Sequence, residues 1–465
     1  MRHSETGSGT SSTHHRTSNM TTPPTLALAQ FVARAKADTL PPKVVHEAKR
    51  AILNWVGCAV GASRHETVSR AIAALKPFFG PAQAGILGRS ERADILHAAL
   101  MNGMTSHTFD FDDTHLKTVI HPAGPVASAI VALAEYQPTS GMALLHAFAL
   151  GVEVECRIGN AVYPSHYDVG WHITGTVGGF GAAAAAGKLL GLNEQQLVWA
   201  LGIAATQAAG LREMFGSMSK PLHPGMAARN GLGAALLAAQ NFTSAEQGIE
   251  GRRGFANVLA TKRDFNRITD QLGETWELLD NTYKPFACGI VIHPTIDGCI
   301  QLRTAYGLKA GEIASVRLRV NPLVLELTGK TTPRAGLEGK FSVFHSAAAA
   351  IIDGAGGEEQ YSDQRVLDPE VVTLRKKVTA GTDPTIKEDA AHVEITMIDG
   401  TVHACNVLHA IGSLDRPMSD ADLENKFAKL CAPHLSATRI AKLIAACWSL
   451  DEMADAAELP RLCTP

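Results

Sequence analysis

Asp110, Asp112, Asp113, Thr114, His115 and His121, with His107 just ahead of them, crowd carboxylates, imidazoles and a hydroxyl between two apolar patterns of helical spacing. Ionisable groups beside a core are costly to bury unless they are paired, so this density marks a site for binding or proton transfer. Capping of the following helix accounts for one of the carboxylates but not for all of them. Asp110 and Thr114 are four apart, which on a helix end would point both at one ligand group. A metal centre is the other use of such donors. The spacing disfavours it, because no H-E-x-x-H helix is present and Asp112-Asp113 runs into Thr114, His115 and Leu116 where a DDxxD motif needs a further acid.

Three further segments carry groups of the same kind. Gly170-Trp171-His172-Ile173-Thr174-Gly175 heads a run of small residues, and a histidine at a helix N-terminus is held neutral by the dipole, a usable base. Ser219-Lys220-Pro221-Leu222-His223-Pro224-Gly225 reads as a rigid turn, its prolines stopping Lys220 and His223 from joining an ordinary helix. With Arg212 and Arg229 it supplies a local cationic patch suited to carboxylates. Tyr283-Lys284-Pro285-Phe286-Ala287-Cys288, followed by His293-Pro294, falls at a change of pattern, where clefts between domains form. Cys288 has apolar neighbours and no charge to stabilise a thiolate, so it reads as an inert buried thiol.

Holding four segments together takes a large scaffold, and 465 residues is more than one core usually serves. From Thr25 to about Leu259 the apolar residues recur with helical period, amounting to roughly ten helices at usual helix and loop lengths. Asn193 and Thr243-Ser-Ala-Glu246 are read as helix starts. After Leu308 the period becomes two. Val316, Leu318 and Val320 alternate with polar residues, and His392 to Ile398 meets Asp399-Gly400 in a hairpin signal. Helical spacing then returns from Ser419 to Trp448. The expected fold is mainly α: an all-helical domain of residues 20–275 plus 406–465, an α+β domain of 276–405, and a disordered tail, 1–19, with Met20 a candidate natural start.

A net charge of -3 and a pI near 6.7 give no basic field, which excludes nucleic acid as the expected partner. The eight cysteines are scattered without a C-x-x-C pair, as in a reducing cytoplasm. Ile173 to Gly187 is apolar but too short to span a membrane, and reads as a closely packed central helix.

Taken in order, Asp110-Phe-Asp-Asp-Thr114, His121-Pro122, Gly170 to Gly175, Ser219 to His223 and Lys284 to Gly289 with His293-Pro294 resemble the MmgE/PrpD family over residues 22 to 460. The resemblance implies a large helical domain with a smaller α+β domain, a homodimer, and catalysis with no cofactor and no metal. It implies a substrate site at Asp110, Thr114, His121, His172, Lys220 and His293. Members dehydrate 2-methylcitrate, decarboxylate cis-aconitate or epimerise iminodisuccinate, and the segment from Arg212 to Phe215 resembles the epimerising members most. The stretch from Thr114 to His121 is one residue longer than in the decarboxylases.

The reading that follows is a cofactor-independent epimerase moving a proton at the α-carbon of iminodisuccinate, a small-molecule polycarboxylate. Lys220, His172 and His293 are the expected catalytic groups. Asp110, Thr114, His121, Arg212 and His223 are expected to bind substrate, with Tyr283 or Tyr167 as proton relays. The alternatives are a lyase of the same family, of the 2-methylcitrate dehydratase or cis-aconitate decarboxylase type, and a metal-dependent all-α enzyme.

Overall fold

Five glycines lie in the helix Ile173–Leu189, and together they cost it about 4–5 kcal/mol of intrinsic helix stability relative to alanine. Close packing offsets that cost, because small side chains let neighbouring backbones approach. A Cβ added at Gly231 of the helix Ser219–Ala239 would lie 2.5 Å from the Gly179 carbonyl oxygen. One at Gly103 of Ile95–His107 would lie 2.8 Å from the Gly225 Cα. These helices, with Ala123–Tyr136 and Gly141–Val162, form the centre of the helical domain, and Pro42–Ala62 packs beside them. In this computed structural model residues 22–464 are described; the expectation for the 1–19 tail lies outside them. No helix among the described residues is long and apolar enough to cross a membrane.

The fold is mainly α, with twenty-one α-helices among the described residues and one small mixed sheet in an α+β unit. That sheet runs in the order Val378–Thr382, Ile313–Val320, Ala391–Met397, Val402–Val407; the first pair is parallel and the others antiparallel. Val316, Leu318 and Val320 are fully buried while Arg317 and Arg319 are exposed, as the period of two requires. Gly400, with φ 88°, closes the hairpin behind Asp399. The helices His293–Tyr306 and Val343–Asp353 cover the buried face. The chain then returns to the helical layer, where Asp420–Cys431 and Ala437–Trp448 pack against Pro42–Ala62.

Several local expectations change. Twelve α-helices begin before residue 270, several of only four or five residues, against the roughly ten read from the pattern. Asn193 caps its helix in a full capping box with Gln196. Thr243 to Glu246 start no helix: Glu246 instead accepts from Gln195 Nε2 at 3.0 Å, and the next helix begins at Phe255. Lys220 and His223 lie within the helix Ser219–Ala239 and not on a turn. Pro221 is tolerated there because first-turn N–H groups have no intrahelical partner, and Pro224 removes one bond of the second turn.

What aligns the site is a short antiparallel ladder between Asp113–His115 and Asn281–Tyr283, with Asp113 opposite Tyr283 and His115 opposite Asn281. It stitches the acidic segment to the Lys284 segment at the domain boundary. Thr114 is therefore in a strand and does not share a helix face with Asp110.

Candidate active site

Asp110 sits just past the end of the helix Ile95–His107, in the left-handed region at φ 51°. Aspartate is among the few residues that tolerate this conformation, which turns the chain sharply out of the helix. Its Oδ1 accepts from Lys284 Nζ at 2.6 Å and faces Lys220 Nζ at 3.0 Å. Lys284 also donates to the Asp110 backbone carbonyl at 3.0 Å. All three side chains are buried. Burial pushes the Asp110 pKa up, but the two ammonium groups outweigh it and hold the carboxyl well below the usual range. Burial lowers the Lys220 pKa, and Asp110 opposes that fall only in part. The Lys220 ammonium also lies 5.2 Å from the centre of the Phe215 ring and 5.3 Å from that of Phe341.

Imidazoles form the opposite wall. His121 Nδ1 lies 2.7 Å from the Asp113 carbonyl oxygen, which only accepts, so Nδ1 carries the proton and Nε2 is free to accept. Its backbone N–H donates to Thr174 Oγ1 at 3.1 Å. His172 caps the helix Ile173–Leu189 and is anchored through its N–H to the Gly210 carbonyl at 3.0 Å. Its Nδ1 is 2.9 Å from His223 Nδ1, so one ring donates and the other accepts. Burial, reinforced by Lys220 and the other imidazoles, drives the His172 pKa well down; burial drives His121 down likewise, and both rings are neutral at pH 7.

Behind this wall, His107 Nδ1 donates to Asp112 Oδ2 at 2.7 Å, and Asp112 is held below the ordinary carboxylate range because His107 and His121 outweigh its burial. Asp113 moves the other way, to about 7, through burial and the adjacent Asp112 charge. Donor atoms of His107, Asp110, Asp112 and His121 converge as a metal site would require. Asp110, however, is already matched by two ammonium groups and Asp112 by an imidazole N–H, so a cation entering here would meet the charge of Lys220 and Lys284.

Asp110, His121, Tyr167, His172, Lys220 and Lys284 line one pocket together with Phe215, Phe341 and Leu327. Thr114 is behind it, with Oγ1 3.3 Å from His121 Nδ1. His223 reaches it only through His172. Arg212 stacks over Tyr167, 4.2 Å from the ring centre, and pairs with Glu326 at 2.5 Å, so its charge is used outside the cavity. The Tyr283 hydroxyl donates to Glu47 at 2.5 Å on the far side of the ladder. His293 lines a second pocket that shares Val119, Ile290 and Val291 with the first. Neither of its ring nitrogens has a hydrogen-bond partner. Cys288 is buried and its thiol is pushed up to about 12, which leaves it unreactive.

Two cations were not singled out by the sequence reading. Lys284 appeared there only as part of a motif. Lys426 sits on the helix Asp420–Cys431, whose apolar stripe marks it as a packing helix and gives no sign that one lysine points inward.

Comparison with known proteins supplies the context for this geometry. The model of the MmgE/PrpD N-terminal domain matches residues 26–268, and that of the C-terminal domain matches residues 286–450. The chain is similar to cis-aconitate decarboxylase of Aspergillus terreus, 27% identical over 94% of this chain and 95% of that protein. It is also similar to the mouse and human proteins of that name, each 28% identical over 94% of this chain and over 93% and 94% of theirs.

Proposed function

This chain belongs to the MmgE/PrpD family, and on that premise we propose that it is a lyase that removes CO₂ from a cis-aconitate-like tricarboxylate without a cofactor. The observation that carries the reading is the meeting of Lys220 and Lys284 on Asp110 in a buried cavity walled by neutral imidazoles. Two ammonium groups opposite one carboxylate leave a net positive charge for an anionic substrate. The relatives' named activity favours this reading over epimerisation of iminodisuccinate, which rested on the resemblance of the segment from Arg212 to Phe215.

The chemistry follows from the substrate class. The bond from the methylene carbon to its carboxylate breaks, and that electron pair becomes the new double bond. The former π pair moves to the far carbon, where the adjacent carboxylate shares it as an enediolate-like anion, and a proton then adds to that carbon. On this reading Lys220 and Lys284 stabilise the developing charge, a role of fixed cations in a water-poor site. Lys220 is also the candidate proton donor, since its lowered pKa makes its ammonium a stronger acid than an exposed lysine. His172 and His121, neutral, are candidates to hold substrate carboxylates through hydrogen bonds.

The test is NMR in D₂O with cis-aconitate, 2-methylcitrate and iminodisuccinate in parallel. The expected result is CO₂ release from cis-aconitate, one deuterium at the newly protonated carbon, and indifference to EDTA. Lys220→Met is expected to lose roughly 10²–10³-fold in kcat. Stereochemical exchange of iminodisuccinate with no CO₂ released would restore the epimerase, and inactivation by EDTA would require a metal.

A further inference from the structure

Lys426 comes from the last quarter of the chain yet lies against the catalytic segments. It gets there because Gly57 and Gly61 clear one face of the helix Pro42–Ala62. A Cβ at Gly57 would stand 2.9 Å from Phe427 Cδ2, and one at Gly61 3.1 Å from the Leu430 carbonyl oxygen. The helix Asp420–Cys431 thus seats deeply, and the Arg50–Asp420 ion pair and the bond from Arg50 Nη2 to the Met418 carbonyl, 2.7 Å, fix its start.

From that seat Lys426 Nζ donates to the Phe111 carbonyl at 2.6 Å, the Lys284 carbonyl at 2.9 Å and Asn54 Oδ1 at 2.7 Å. An ammonium has three N–H donors, and all three are used. The charge also lies 4.0 Å from the centre of the Phe111 ring. Burial draws its pKa down to about 8, against the pull of Cys58, Asp112 and Asp113, so it is mostly protonated at neutral pH. The two carbonyls it holds belong to Phe111, which follows Asp110, and to Lys284, and the Asp110 and Lys284 side chains meet at 2.6 Å.

We infer that Lys426 is a positioning residue for the reaction: by clamping the Phe111 and Lys284 backbones together it sets the Asp110–Lys284 pair, and through Asp110 the place of the Lys220 ammonium. Lys426 lines neither cavity and reaches the first only through the Lys284 backbone. The kinetic part of its test rests on the proposed decarboxylation, whereas the structural part does not.

The experiment compares Lys426→Met, which keeps the bulk and removes the three donors, with Lys426→Arg, whose planar guanidinium cannot reproduce the three-way geometry. For Lys426→Met the expected result is a kcat roughly 10–100-fold lower with KM changed less than threefold, the signature of misplacement by about 1 Å. Lys426→Arg should fold as wild type and lose a smaller factor, roughly three- to tenfold in kcat. In a crystal structure of either variant the Lys284–Asp110 contact should open beyond about 3.5 Å. If Lys426→Met does not fold, Lys426→Arg carries both readouts. Wild-type kcat in a folded variant, or an intact Lys284–Asp110 contact, overturns the inference. Absence of turnover by the wild-type protein overturns the proposed function instead, and leaves the crystallographic readout to decide the clamp.

Discussion

Asp110→Asn is the most informative single change, because one carboxylate oxygen serves two buried ammonium groups. At separations near 3 Å and an effective dielectric of about 20, each attraction is worth roughly 5–6 kcal/mol before desolvation. The amide keeps the shape and removes the charge, so the local sum rises from one positive charge to two. Removing one partner of a buried pair costs about 3–5 kcal/mol, and that is the expected loss of folding stability at pH 7. The pH dependence has a definite sign. The Asp110 pKa is depressed in the folded state, so its contribution is complete above the ordinary aspartate pKa, near 4, and is lost only as pH falls through the lower folded value. In the variant, Lys220 loses its counter-charge and sheds its proton more readily, so the deficit narrows as pH rises. Urea unfolding of both proteins from pH 5 to pH 9.5 reads this directly. A deficit below about 1 kcal/mol at pH 7 would refute the electrostatic account.

Three further outcomes follow from the same coordinates. Gly225→Ala would put a Cβ 2.3 Å from the Leu100 carbonyl oxygen and 3.0 Å from the Met104 nitrogen, both backbone; the expected cost is about 1–3 kcal/mol with reduced kcat, and an unchanged melting point would show that the helices slide apart freely. Glu155 is fully buried, neither carboxylate oxygen has a partner, and burial next to Asp113 raises its pKa well above normal. A raised carboxyl pKa costs stability as pH climbs past the unfolded value, so Glu155→Gln should be more stable than wild type at pH 8 and similar at pH 4.5; calorimetry showing the reverse order would sink the assignment. His121, His172 and His293 are neutral in the fold because burial lowers their pKa values, to about 3 for His293. The unfolded chain therefore binds protons first, and stability should fall below about pH 6.5 by up to roughly 1.4 kcal/mol per pH unit for each ring, checked by urea midpoints at pH 7 and pH 5.5.

Local chemistry was legible in the residues themselves. Period and capping identified the helical class, the Asn193 start and the Asp399-Gly400 hairpin, because each depends on neighbours a few residues away. The density of acids and imidazoles around Asp110 marked that segment for the same reason. Expectations that depended on packing fared differently. The Thr243 box met all local requirements but starts no helix, because the chain there lies against Gly202, where a Cβ would stand 2.5 Å from Ser244 Oγ. Prolines at 221 and 224 did not stop a helix whose small face is held by its neighbours.

Which charge meets which was decided only by the tertiary structure. Asp110 and Lys284 are 174 residues apart, and Phe111 and Lys426 are 315 apart. No periodicity reaches over such distances. The pairings exist because a three-residue ladder joins two loops and a glycine-cleared helix face admits a C-terminal helix. Burial then did what composition could not announce: it lowered the pKa of Lys220 and neutralised the imidazoles, while the two ammonium groups kept Asp110 charged. The sequence by itself determined the kinds of group available and the helices that carry them. Their protonation states, and the choice of Lys220 and Lys284 over Arg212 as the charges facing the cavity, depend on distance and desolvation, which arise only in the folded chain.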